Sequence, residues 1–184
     1  MQTKHKLASL GMALALSLTG ACAFAQVTVG GAPMLASKDI IDNAVNSKDH
    51  TTLVAAVKAA GLVDKLKSAG PFTVFAPVNA AFAALPAGTV DTLLKPENKA
   101  MLSGILTYHV VAGKIDAAAL TKAIADGNGK ATLKTVAGGN LTAMTAMGGV
   151  TITDEKGASA KVTIADVYQS NGVIHVVDKV LLPK

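Results

Sequence analysis

Residues 105–115 read ILTYHVVAGKI, and residues 171–184 read NGVIHVVDKVLLPK. Each run sets a histidine, His109 or His175, among apolar residues, and His109 follows one of only two tyrosines in the chain. A histidine in such a run is a general base, a metal ligand or a hydrogen-bonded peg. The choice separates an enzyme from a protein that binds and holds. Around His109 stand Ile105, Leu106, Val110 and Val111, with no nucleophile and no carboxylate. Thr107 is the nearest hydroxyl apart from Tyr108, and nothing marks it as activated. His175 alternates with Val173 and Val177 on one strand face. Both histidines read as pegs of the fold, His109 half-buried where helix passes into strand and also edging a contact surface.

The rest of the chain supplies no catalytic pattern. Beyond residue 25 the histidines are His50, His109 and His175, without the local spacing of a metal site. There is no G-x-S-x-G, and Ser103 in MLSGIL lies in helical context. The glycine clusters at 127–129 and 138–140 are turn chemistry, since no helix opening on Lys-Ser/Thr follows them. No catalytic residue, cofactor or metal is expected. All 17 basic residues are lysines, so bidentate recognition of phosphate or base has no candidate. The charge is scattered, and nucleic acid is excluded as a partner.

Lys4, His5 and Lys6 precede an apolar stretch, Leu7 to Leu18, and Ala23-Phe24-Ala25 forms an A-x-A cleavage site. Residues 1–25 read as a secretory signal peptide. The apolar stretch is short for a span, and no membrane span is expected after cleavage. Cys22, the single cysteine, leaves with that segment unless it is lipidated, a reading its upstream residues disfavour. The mature chain then has neither disulfide nor thiolate chemistry. Net charge falls from +5 to +3, because two of the 17 lysines precede residue 26 and all 12 acids follow it. The interior must be filled by Ala, Val, Leu and Ile, since aromatics make up 3% and Trp is absent.

Residues 26–36 are small and aperiodic and read as a flexible extension. Ser37 suits a helix N-cap before Ile40, Ile41, Ala44 and Val45. A second helix carries Leu53, Val54 and Val57 at helical spacing and ends at Gly61. Leu62, Val63 and Leu66 make a short third turn. Phe72, Val74 and Ala76 alternate with Thr73 and Phe75 as a strand requires. Pro77 stops that strand, and Asn79 is placed to cap the helix AAFAAL. A helix opens at Lys95-Pro96-Glu97, with Met101, Leu102, Ile105 and Leu106 on its face. From Lys130 onward, ATLKTVA, LTAMTA, VTITD and KVTIADV are short strands between glycine and polar turns. Helices first and antiparallel strands afterwards predict an α+β domain.

Three stretches together resemble the fasciclin (FAS1) domain family: FTVFAPVNAAFAALP as its first signature box, ILTYHVVAGKI as its Tyr-His motif, and NGVIHVVDKVLLP as its second box. They occur in the family's order. The resemblance implies a wedge of antiparallel β-sheets with several helices packed around it, filling residues 37–184 as a single domain. It implies that Thr73, Phe75, Pro77, Asn79, Phe82, Asn171, Gly172, His175 and Asp178 serve the fold. Val78 departs from the Thr or Ser that often precedes the Asn. The Asp-Ile pair tied to integrin binding in animal members corresponds to Asp166-Val167, followed by Tyr168. The expected contact residues are therefore Tyr108, His109, Asp166, Val167 and Tyr168.

The reading is a secreted, periplasmic or extracellular, non-enzymatic module mediating cell-surface, biofilm or matrix adhesion. Its expected partner is a cell-surface or matrix protein or polysaccharide, with weak self-association as a further option. The alternative is a periplasmic small-ligand carrier or envelope enzyme, supported by an aliphatic interior able to leave an apolar pocket.

Overall fold

Gly61 adopts φ 71° and ends its helix in the left-handed conformation that glycine reaches without a Cβ penalty. That local signal is read correctly, whereas others turn out to serve distant partners. The computed structural model describes residues 27–146 and 148–184. The expected signal peptide, with Cys22, lies outside the described residues.

The chain opens with a two-stranded hairpin, β1 Thr28–Val29 and β2 Ala32–Pro33. Over residues 27–36 this corrects the flexible extension expected for 26–36. Val29, Ala32 and Met34 are buried in the main core, and Asn43, fully buried, receives the Leu35 amide and donates to the Leu35 carbonyl. Apolar burial and two hydrogen bonds from the Asn43 side chain to the Leu35 backbone hold a segment whose composition alone predicts mobility.

Helix α1 is Ile40–Ala44, capped by Asp39 rather than Ser37; the Asp39 carboxylate accepts from Asp42 N at 2.8 Å. A 3₁₀ turn, Lys48–His50, leads into α2, Thr51–Ala60, and α3 is Val63–Lys67. Strand β3 is Phe72–Pro77, followed by α4 Asn79–Ala83 and α5 Thr89–Leu93. A second 3₁₀ turn, Pro96–Asn98, precedes α6, Lys99–Tyr108. Helix α6 buries Leu102, Ile105 and Leu106, but Met101, expected on the same face, is 60% exposed. Each of the buried aliphatics contributes about 1.5–3 kcal/mol.

Strand β4 is Val110–Ala112, and α7 is Ala117–Asp126. The sequence reading passes over α7, although Asp116 caps it by accepting from Ala119 N at 2.7 Å. The meander follows as β5 Lys130–Lys134, β6 Asn140–Ala146, β7 Gly149–Thr153, β8 Ser159–Gln169 and β9 Gly172–Val177. The strand order is β4-β3-β9-β8-β7-β6-β5. Every pairing is antiparallel except β3 with β9, which run parallel from Phe72↔Gly172 to Pro77↔Val177. The all-antiparallel expectation is corrected there. A parallel partner must be fetched from far along the chain, and no turn motif announces it.

The long strand β8 joins two halves of the sheet, pairing with β7 through Ser159–Lys161 and with β9 through Val162–Gln169. Alternation then divides the interior. Val74 and Ala76 of β3, with Ile174 and Val176 of β9, face the helices α1, α2 and α6. Phe75 and Val177 face the other way, into a second cluster with Tyr108, Leu120, Leu141 and Ile152. The β3–β9 pair is thus the wall between two cores, which is the α+β architecture expected.

Candidate functional site

The wall carries the signature residues, and their polar atoms are bonded inward. His109 is 2% exposed. Its Nδ1 lies 2.8 Å from the Ile105 carbonyl, and its Nε2 accepts from Leu181 N at 2.9 Å. Those partners fix a neutral ring protonated at Nδ1, and complete burial lowers its pKa to about 4. His175 is likewise buried: Nε2 lies 2.8 Å from the Ile115 carbonyl, so it donates, and Nδ1 faces Asp166 N at 3.4 Å. Its ring stacks on Phe75 with centroids 5.6 Å apart, and burial again pushes its pKa down. The Tyr108 hydroxyl donates to the Asn140 carbonyl at 2.8 Å and accepts from Glu155 N at 3.2 Å. Burial, the largest cause, pushes its pKa up.

The other signature residues tie loops together. Thr73 donates to the Gly113 carbonyl and accepts from Ile115 N. Asn79 does not cap its own helix, whose N-cap, Val78, makes no side-chain bond. Its carboxamide oxygen instead accepts from Thr52 N at 3.0 Å and from Thr51 Oγ1, at the start of α2. Its amide donates to the Lys48 carbonyl. Asn171 accepts from Ile40 N and donates to the Leu66 carbonyl. Phe82 packs in the helix-side core, Pro77 closes the β3 register opposite Val177, and Asp178 accepts from Lys161 N. Gly172 abuts Phe72 so closely that a Cβ there would stand 2.1 Å from the Phe72 carbonyl oxygen.

Three of the five expected contact residues are therefore corrected. Tyr108, His109 and Val167 are 0%, 2% and 1% exposed and cannot meet a macromolecular surface. Asp166 sits in the irregular stretch of β8 with φ 58°, and its carboxylate accepts from Ala117 N at 2.6 Å, at the start of α7. There it faces the positive end of the helix dipole. Tyr168, half-buried, opens onto a groove of about 760 Å³, to which the enclosed Val167 also contributes wall.

That groove runs between the segment Met34–Ala36, the turn carrying Lys114 and Asp116, and the end of β8. The Lys114 ammonium lies 4.9 Å from the centroid of the Tyr168 ring, a cation–π contact. Desolvation, then the carboxylates of Asp166 and Asp116, push the Tyr168 phenol up. An aromatic face, an ammonium and a carboxylate share one open channel, so it offers stacking area and both hydrogen-bonding senses. Lys114 lies inside the Tyr-His motif ILTYHVVAGKI and Asp116 just after it, but sequence reading weighs only the Tyr-His pair there; the Asp116 capping signal before AAAL is a further cue. Among the described residues no group of three His, Cys, Asp or Glu is placed to hold a metal ion, and no helix is long and apolar enough to cross a membrane.

A fasciclin domain model matches residues 48–183. Protein sll1483 of Synechocystis sp. is 51% identical over 144 residues, covering 78% of this chain and 73% of that protein. The cell surface glycolipoprotein MPB83 of Mycobacterium bovis is 34% identical over 159 residues, covering 84% of this chain and 64% of that protein. The solved structure of a FAS1 domain pair from the insect cell adhesion molecule fasciclin I has a TM-score of 0.70 at 19% identity, covering 79% of this chain and 51% of that one.

Proposed function

Since this chain belongs to the fasciclin domain family, we propose that it is a secreted, non-enzymatic module that attaches to a cell-surface, biofilm or matrix polymer through the groove beside Tyr168. Proteins of this family are generally adhesion modules, and the relative MPB83 is named for the cell surface. The observation that carries the reading is the placement of the two tyrosines. Tyr108 is enclosed and bonded at its hydroxyl, whereas Tyr168 lines an open groove with Lys114 and Asp116. Tyrosine at a surface supplies a large rigid face at small entropic cost, which is why it anchors interfaces.

The test is retention of the chain from Gln26 onward on envelope, exopolysaccharide and matrix fractions, beside a Tyr168→Ala variant. Saturable retention of the parent, reduced at least tenfold in a variant of unchanged melting temperature, supports the reading. Equal retention of both proteins removes the groove from it, and no retention on any fraction removes adhesion.

A further inference from the structure

In the meander, Leu133, Leu141, Ile152 and Ala160 turn inward, against Leu120 and Ile124 of α7. Their neighbours along each strand point the other way, and the registers set those neighbours in rows. Thr132, Thr142, Thr153 and Ser159 stand opposite one another across β5, β6, β7 and β8. Lys130, Met144, Thr151 and Lys161 form a second row beside them, and Lys134, opposite Asn140, begins a third. All are exposed or half-exposed. Neighbours within a row are about 4.8 Å apart and the rows about 7 Å apart. The Thr153 and Ser159 hydroxyls lie 2.9 Å from each other. The Lys161 stem crosses β7, its Cε 3.8 Å from where a Cβ on Gly149 would stand.

These rows hold three ammonium groups and no carboxylate. Lys130, Lys134 and Lys161 enter no ion pair among the described residues. The acids bonded to the border are Asp178, which accepts from Lys161 N, and Glu155, which accepts from Asn140 N. Threonine alone would follow from its suitability for the wet side of a strand. Lysine on β5, at the end of the strand order, would follow from the need to discourage pairing with another sheet. Neither reason covers Lys161, which lies three strands in from that edge. A sheet serving only its own stability gains by setting opposite charges across its strands.

We propose that this sheet face binds an acidic polysaccharide, a linear polyuronate, with its carboxylates on Lys130, Lys134 and Lys161 and its hydroxyls on the threonine row. An ammonium is a compact point charge that suits a lone carboxylate. A threonine hydroxyl donates and accepts, so it meets a sugar hydroxyl in either sense. Other polyanions fit less well. Nucleic acid is read by arginine and stacked on aromatic rings, and the rows contain neither. An anionic membrane is entered by large apolar side chains beside the basic ones, and Met144 is the single such residue in these rows. Each exposed ion pair is weak by itself, and a repeating polymer adds them together. None of these residues lines the Tyr168 groove, so this is a second surface, independent of the first.

The test is calorimetric titration of the chain from Gln26 onward with polygalacturonate, with neutral dextran and with a short DNA duplex. The expected result is saturable binding of polygalacturonate that weakens as sodium chloride is raised, with DNA bound more weakly and dextran not at all. Replacing Lys130, Lys134 and Lys161 together by Gln weakens polygalacturonate about tenfold, as three exposed ion pairs provide. Replacing the exposed Lys58, Lys65 and Lys95 by Gln changes net charge equally and leaves the affinity unchanged. Thr142→Val, in the middle of the hydroxyl row, weakens it about fivefold, as one hydrogen bond provides. Tyr168→Ala has no effect on it. No saturable binding of polygalacturonate, equal loss in the two triple variants, or DNA bound as tightly as the polyuronate overturns the proposal. Loss in Tyr168→Ala also overturns it, by assigning the polymer to the groove.

Discussion

The β3–β9 wall and the Tyr168 groove both draw on the end of β8, yet they handle polar atoms oppositely. At the wall, His175 on β9 and His109, which ends α6 and bonds to β3 through its backbone, have both ring nitrogens matched to backbone groups. In the groove, Lys114, Asp116 and Tyr168 face solvent around an open channel. The wall holds most of the motif residues, and of the motifs only Lys114, at the end of the Tyr-His stretch, and Val167-Tyr168 reach the groove. A buried polar residue is constrained by every neighbour it must satisfy, so it leaves a recognisable local pattern. A surface residue answers only to its partner. The motifs therefore identify the fold first, and only their margins, such as Lys114, touch the surface through which the molecule would act.

The strongest way to break this contrast is at Gly172. An added Cβ would meet the Phe72 carbonyl oxygen at 2.1 Å, and the atom it strikes is backbone of the paired strand, which cannot swing aside as a side chain could. Gly172→Ala should cost about 3 kcal/mol or more, at the upper end of overpacking, and lower the melting temperature by about 10 °C. An unchanged melting curve would mean that the β3–β9 register is not the rigid wall described.

Acid tests the same wall through His109. Its pKa is about 4 when folded and 6.5 when exposed, so the unfolded chain binds the additional proton between those values. Stability from this group is complete above pH 6.5 and is lost as pH falls towards 4, by about 3 kcal/mol in all. His175 and His50, also lowered by burial, act in the same direction. Urea unfolding at pH 7, 5.5 and 4.5 should show a steady fall in midpoint. A midpoint independent of pH over that range would show that the imidazoles are not held neutral.

Asn79→Ala is the intermediate case and shows where sequence reading stops. The variant should cost about 1–2 kcal/mol, the usual value for losing a cap, and calorimetry can measure it. The effect should appear as early amide exchange at Thr51 and Thr52 rather than in the helix that Asn79 begins. Asn79 is recognisable as a cap from its type and position, but the helix it caps, α2, begins 28 residues earlier in the chain. Local signals of this kind were legible: the alternation of β3, the glycine end of α2 and the meander strands. Pairings that depend on distant chain were not, as with the parallel β3–β9 register, the cap on α2 and the hairpin held by Asn43. The same limit explains the candidate site. Val167 and Tyr168 are adjacent in sequence, and only packing reveals that one is 1% exposed while the other is half-buried at the groove they share.

The smallest effect on stability, and the sharpest on the contrast, belongs to Tyr168. Tyr168→Ala removes a half-buried ring and its contact with Lys114, an exposed cation–π pair that contributes about 0.5–1 kcal/mol. The melting temperature should move by no more than about 3 °C, while retention on the binding fraction falls at least tenfold. Lys114→Ala should reproduce part of the retention loss, because the ammonium is one wall of the same channel. If Tyr168→Ala unfolds the protein as readily as Gly172→Ala does, the ring belongs to the wall after all, and the separation between the residues that make this fold and those that would use it collapses.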